Sequence, residues 1–334
     1  MSLVEVSNLS VEFDTVDGPV HAVRDLSYTL EAGKTLGIVG ESGSGKTVSV
    51  LTLMRLLAGN ARVTSGSVLF DGIDVLKLPE RRMRELRGER ISMVFQDPMT
   101  ALDPVEKVSK QIGQTIEYHH RSATRRQVRS RVIETLESVG VPDAARRADQ
   151  FPHQWSGGMR QRAVIAMALV NSPDLIIADE PTTALDTTVQ AQVLDVLREV
   201  RTTHGCSIIL ISHDLGVVRE VADDVMVMYA GAMAEKCPVD EIFEGPRHPY
   251  TRALLRARPG WGERQERLFS IAGRPPDLLT VPTGCPFEPR CTESDGLPAC
   301  RTDVPAPRAV QAGHLAACHR AEELASLELV EESR

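Results

Sequence analysis

The segment Leu36-Gly37-Ile38-Val39 followed by Gly40-Glu41-Ser42-Gly43-Ser44-Gly45-Lys46-Thr47 decides the fold of this 334-residue chain. An apolar run with strand character enters a glycine-rich loop, and a helical pattern, Thr47–Leu57, leaves it. In such a loop glycines let backbone N–H groups close around phosphates, and the following helix N-terminus adds its partial positive charge. Lys46 would reach the outer phosphates, and the Thr47 hydroxyl would bind Mg²⁺.

A second strand end supplies the matching acid. Leu175-Ile176-Ile177-Ala178 leads to Asp179 and Glu180. Asp179 can hold Mg²⁺ through water, and Glu180 is suited to orient or deprotonate an attacking water. Phosphoryl transfer needs positioning and charge neutralisation more than covalent chemistry. Further strand-like runs at Ile91–Phe95, Ser207–Ile211 and Val225–Met228 alternate with helical patterns at Val132–Val139, Arg160–Val170 and Val189–Arg201. That alternation predicts an α/β fold with a covered, mainly parallel sheet. The opening, Leu3–Glu12 and Ala22–Leu30, alternates more and predicts antiparallel strands.

Composition narrows the function classes. A net charge of −8 argues against nucleic acid as the main partner. The one basic cluster, Arg121, Arg125, Arg126, Arg129 and Arg131, reads as the solvated side of a helix opened by a Thr124–Gln127 capping box. The first residues, Met-Ser-Leu-Val-Glu, carry no basic segment leading into an apolar run, and no apolar stretch approaches the roughly 20 residues a spanning helix needs. The expectation is a cytoplasmic chain that meets a membrane only through protein partners, with cysteines kept reduced.

After residue 245 the composition changes. Eleven of the 20 prolines lie between Pro246 and Pro307, a density that excludes long helices. The same tail carries Cys285, Cys291, Cys300 and Cys318, separated by five, eight and seventeen residues. Four thiolates in a core-poor segment are suited to fold it around a metal. The gaps are wider than those of common zinc knuckles and match no standard ferredoxin spacing. An iron–sulfur cluster, zinc and unliganded or disulfide-bonded cysteines all remain open, with His314 and His319 as substitute ligands. Cys206 and Cys237 read as ordinary buried thiols.

Trp155-Ser156-Gly157-Gly158-Met159-Arg160-Gln161-Arg162 resembles the signature segment of ABC ATPases, with Trp155 and Met159 departing from its commonest form. Physically it is a second anion site at a helix start. The resemblance implies a head-to-tail dimer in which each ATP lies between one subunit's Gly40–Thr47 loop and the other's Ser156, Gly157 and Gly158. It also implies roles for Gln96 (Mg²⁺ and water contact), Asp186 (dimer contact), His213 (γ-phosphate switch), Phe13 (adenine contact), and Ser42, Gly43, Ser44, Gly45 and Val48 (nucleotide contact). The ATPase domain would span 1–245, with a RecA-like parallel core, an antiparallel β subdomain and a helical subdomain at about 97–170.

Ile91–Pro104, Trp155–Arg162 and Arg247–Leu254 are similar to ATPases of the oligopeptide/dipeptide importer subfamily, whose relatives also move nickel and other small solutes. This implies an ATPase that powers peptide import from the inner face of the membrane. Its partners would be a related second ATPase in a heterodimer, two permeases and, indirectly, an extracytoplasmic binding protein. A [4Fe–4S] cluster in a 246–334 extension is implied as well. A soluble ABC ATPase serving DNA repair, translation or cluster assembly is the alternative. It is disfavoured by the single motif set and the absence of extended heptads.

Overall fold

The computed structural model describes residues 2–95, 101–183, 186–257 and 270–325. Its strands are β1 (Ser2–Thr15), β2 (Gly18–Glu31), β3 (Thr35–Val39), β4 (Ala61–Phe70), β5 (Ile73–Asp74), β6 (Ile91–Val94), β7 (Leu175–Asp179), β8 (Ser207–Ser212), β9 (Asp224–Tyr229), β10 (Ala232–Pro238), β11 (Arg308–Gln311) and β12 (His314–Ala316). The chain forms two compact units, one built mainly from residues 77–211 and the other from 3–29, 36–76 and 212–334.

In the first unit β6, β7 and β8 run parallel, with Ile91 beside Leu175 and Ile177 beside Ile209. All of β7 and β8 is buried. Burial on both faces is why these strands read as continuous apolar runs rather than alternating ones. Helices Val108–His119, Arg125–Ser138, Gly157–Leu169 and Thr187–His204 supply an apolar core that includes Ile112, Val132, Leu136, Ile165 and Val196. The Thr124–Gln127 capping box forms, its Thr124 hydroxyl accepting from the Gln127 N–H while the Gln127 side-chain Oε1 accepts from the Thr124 N–H. Arg121, Arg125 and Arg126 are exposed, and Arg129 pairs with Asp149 at 2.8 Å. These four lie on the solvated side the pattern indicated, whereas Arg131 is half-buried, its Nε donating to the Val170 carbonyl at 3.0 Å.

The second unit contains an antiparallel sheet ordered β2-β1-β4-β5. It also contains β3 parallel to β9, followed outward by β10, β12 and β11 in antiparallel pairing. Helix Lys46–Met54 follows β3 and stops earlier than the expected Leu57. Arg55 turns left-handed, at φ 51°, and its N–H closes onto the Leu51 and Thr52 carbonyls.

The tail also departs from expectation. Its proline density excludes long helices and marks the segment as core-poor, yet β12 pairs along β10, with Glu235 opposite Ala316. Residues 308–318 contain no proline, so their N–H groups are free to join a ladder, and Ala316 is fully buried. Among the described residues no helix is long and apolar enough to cross a membrane.

Candidate functional site

The phosphate loop follows β3 directly. Gly45 holds φ at 93°, and a Cβ there would lie 2.4 Å from the Ala22 carbonyl; one at Gly40 would lie 2.2 Å from that of Met228. Neither position admits a side chain without moving backbone. Lys46 is buried at the start of its helix, and its Nζ donates to the Gly40 carbonyl at 2.7 Å and the Glu41 carbonyl at 2.9 Å. Ser42, Gly43 and Thr47 are exposed, Val48 is half-buried, and Ser44 is buried. The loop therefore presents backbone and hydroxyl groups outward while its lysine braces it from within. Phe13 is half-buried on β1, opposite Ala61 of β4.

In the other unit, Asp179 ends β7 with 5% exposure. Glu180, at φ 47°, occupies the left-handed region that non-glycine residues rarely adopt. The conformation is held from two sides. The Glu180 N–H donates to the Ile211 carbonyl at 3.0 Å, and the Thr183 hydroxyl donates to Glu180 Oε2 at 2.9 Å. Strain of this kind persists where the surroundings fix it, commonly at reacting groups.

Ser156 caps helix Gly157–Leu169, its hydroxyl accepting from the Met159 N–H, and Gly157 has open space where a side chain would be. Asp186 caps helix Thr187–His204 by accepting from the Val189 N–H at 2.9 Å. Ser156, Gly157, Gly158 and Asp186 line one open hollow, together with Arg162 and Gln192. Trp155, the departure from the commonest signature, is buried at 3% exposure and serves packing. The sequence reading gave Gln161 no role of its own. It is fully buried and donates to the Pro181 carbonyl at 2.8 Å, tying the signature helix to the residue after Glu180. His213 is exposed after β8, next to Asp214, which caps helix Leu215–Val221. Gln96, Ala184 and Leu185 lie outside the described residues.

The four tail cysteines line one small cavity with Phe287, Glu288, His319 and Arg320. No cysteine is in a disulfide. Burial pushes all four thiols up, Cys291 to about 12 and Cys318 to about 11. The Arg320 N–H donates to Cys318 Sγ at 3.4 Å. His314 is not part of this cavity. It is buried against Glu235 at 2.7 Å and Glu241 at 3.3 Å, which removes it as a substitute ligand. Cys206 and Cys237 are buried elsewhere, as expected of ordinary thiols.

Comparison with known proteins decides the family. Residues 23–183 match the family profile described as ABC transporter, and residues 234–300 match the oligopeptide/dipeptide transporter C-terminal region. The chain is 49% identical over 288 residues to the dipeptide transport ATP-binding protein DppD of Lactococcus lactis, covering 86% of this chain and 82% of that one.

The chain belongs to the ABC transporter family.

It is also 46% identical over 318 residues to the oligopeptide transport ATP-binding protein OppD of Salmonella typhimurium, covering 95% and 93% of the two chains. An ATP-binding cassette solved as a dimer in a post-hydrolysis state with ADP and phosphate superposes with a TM-score of 0.63 at 26% identity, covering 71% of this chain and 98% of that one. The fold is that of an ABC ATPase cassette, and the chain is an ATPase that works with ATP and Mg²⁺ to power transport.

His248, in the tail's His-Pro-Tyr segment, yields a pH prediction. Its Nδ1 accepts the Tyr250 N–H at 3.0 Å, capping helix Pro249–Arg256. Burial pushes it down to about 4, against the pull of Glu235 and a backbone hydrogen bond to Ala317. A histidine held neutral contributes stability that is fully present above its unfolded pKa, about 6.5, and lost as pH falls toward 4. Between pH 7 and 4.5 this one group should cost about 2–3 kcal/mol. Urea unfolding at the two pH values should show a smaller loss for His248→Asn, whose cap does not titrate, than for the wild type. Equal losses would contradict the assignment.

Proposed function

We propose that this chain is the ATP-hydrolysing subunit of an importer of di- and oligopeptides, acting at the cytoplasmic face of the membrane. The observation that carries the reading is the tail: residues 234–300 match the region named for oligopeptide/dipeptide transporters, on a chain whose residues 23–183 match the ABC transporter profile. Its partners are then two permease subunits, a related second ATPase in a heterodimer, and an extracytoplasmic binding protein that meets the permeases. The ATPase domain is taken as 1–245, with a helical subdomain at about 97–170, and the extension as 246–334.

The roles proposed for its residues are those the family resemblance implies. Gly40–Thr47 and Val48 grip the nucleotide phosphates by backbone N–H groups, Lys46 shifting from its own loop's carbonyls to phosphate oxygens. Phe13 offers a half-buried ring for the adenine. Thr47, Asp179 and Gln96 supply oxygens to Mg²⁺, whose charge offsets that of the phosphates. Glu180 takes the proton of the attacking water, its backbone strain and the Thr183 hydroxyl fixing the carboxylate, and His213 contacts the γ-phosphate. Ser156, Gly157 and Gly158 face outward and bind the phosphates of a nucleotide held by the second ATPase, with Asp186 at that same contact. ATP then draws the two ATPases together, and phosphate release lets them part.

For the tail we propose a [4Fe–4S] cluster held by Cys285, Cys291, Cys300 and Cys318. What supports it is that all four cysteines line one cavity, and four cysteine thiolates are a ligand set that iron–sulfur clusters take. When bound, such a group cross-links a segment poor in core residues. Cys285 and Cys300 are already joined by a backbone hydrogen bond of 2.8 Å.

Two measurements test these assignments. Glu180→Gln should keep ATP binding while turnover falls on the order of 10²-fold or more, and cells carrying it should stop accumulating a labelled tripeptide. Near-normal turnover would assign the base elsewhere. Peptide uptake that continues unchanged would point to another solute, with nickel uptake the next to measure. Purified without chelators, the chain should absorb broadly near ~400 nm and contain about four irons and four sulfides per chain. Zinc without iron would overturn the cluster.

A further inference from the structure

The phosphate loop contains a carboxylate, which is a poor neighbour for an anionic ligand. Glu41 stands second in the loop, and its own carbonyl accepts from Lys46 Nζ. A free negative charge there would repel phosphates and compete for Lys46. The chain meets this with a residue 249 positions away. Arg290 Nη1 donates to Glu41 Oε2 at 2.8 Å, and Nη2 donates to Oε1 at 3.0 Å, a two-pronged pairing of planar groups. Arg290 is only 5% exposed, against 26% for Glu41.

The guanidinium is itself anchored. Its Nε donates to the Ala272 carbonyl at 2.9 Å, and Nη1 also reaches the Tyr229 hydroxyl at 3.2 Å. Tyr229, Tyr250 and Phe287 pack against one another with ring centroids 4.6–5.4 Å apart. The Tyr250 hydroxyl accepts the Glu41 N–H at 2.9 Å, so the tail holds this loop residue by side chain and backbone together. Arg290 closes a short 3₁₀ turn, Glu288–Arg290, between Cys285 and Cys291.

We propose that Arg290 is a positioning residue of the nucleotide site: it neutralises Glu41 and turns that carboxylate away from the phosphates, so the cysteine-bearing extension sets the affinity of the loop for ATP. This rests on the nucleotide-site reading of Gly40–Thr47. Pairing with a fork rather than a point charge matters, since two parallel hydrogen bonds fix where the carboxylate points as well as its charge. A residue that acts only as packing would not depend on the charge of Glu41.

The test is a cycle of variants in the full-length chain, titrated with a non-hydrolysable ATP analogue and Mg²⁺. The wild type is measured first, which separates failure of the nucleotide-site reading from failure of this proposal. Arg290→Gln should weaken binding about tenfold at low salt, since it leaves an unpaired carboxylate beside the ligand. The deficit should shrink as salt is raised. In turnover it should appear as a higher KM for ATP with kcat nearly unchanged. Glu41→Gln should bind the analogue more tightly than Arg290→Gln does, because it removes the charge that Arg290→Gln exposes. Glu41→Gln with Arg290→Gln should return to within about threefold of the wild type, because the charge to be neutralised is gone. Recovery in the double variant also shows that a chain without Arg290 can fold, and circular dichroism of Arg290→Gln checks the single variant. Wild-type affinity in Arg290→Gln, or a double variant as weak as Arg290→Gln alone, would overturn the proposal.

Discussion

The account depends on one constraint: a loop that binds phosphate through its backbone must keep every side chain out of the way. Gly40 and Gly45 meet it by sitting against the Met228 and Ala22 carbonyls, where no Cβ fits. Those two carbonyls come from β9 and β2, so the shape of the loop is set by strands far away in sequence. Helix Lys46–Met54 then begins with its N–H groups aimed where the loop leaves space, and its dipole adds to their attraction. Lys46 is the one long side chain in the loop, and it is folded onto the loop's own carbonyls. Glu41 is the remaining charge to manage, and that task falls to the tail.

Much of this was legible in the residues. The glycine spacing gave the loop, and continuous apolar runs gave the buried parallel strands, because strands covered on both faces lose the alternation that marks a surface strand. The signature segment and Asp186 were readable through the family resemblance, and in the structure Ser156 and Asp186 each accept from the N–H three residues on. The four cysteines were recognisable as a set, although their wide gaps hid their closeness. The pairing of β12 with β10 brings Cys318 in beside the others, and a three-residue strand leaves almost no pattern to read.

What could not be read was long-range and polar. Arg290 is one of many arginines in sequence, and nothing near it announces a partner 249 residues earlier. His314 reads from sequence as a substitute ligand, whereas it lies buried between two carboxylates, Glu235 on β10 and Glu241 on the helix Val239–Glu244 that follows. Helix Lys46–Met54 ends early because Arg55 adopts a left-handed conformation, a choice made by packing and not by propensity. Composition misjudged the tail for a similar reason: its prolines govern only their own neighbourhood, and the proline-free stretch beyond them joins the sheet.

On the proposed reading the chain has two anion-binding loops, Gly40–Thr47 and Ser156–Gly158, and the central claim is that the second serves a nucleotide held by another subunit. Replacing Ser156 with arginine, then measuring ATP binding and ATP turnover on the same preparation of the assembled transporter, tests it most directly. The account predicts that the isolated Ser156→Arg chain binds ATP as the wild type does, while turnover in the assembly falls at least about tenfold through loss of the contact across the subunits. Loss of ATP binding in the isolated chain, or turnover unchanged in the assembly, would contradict it.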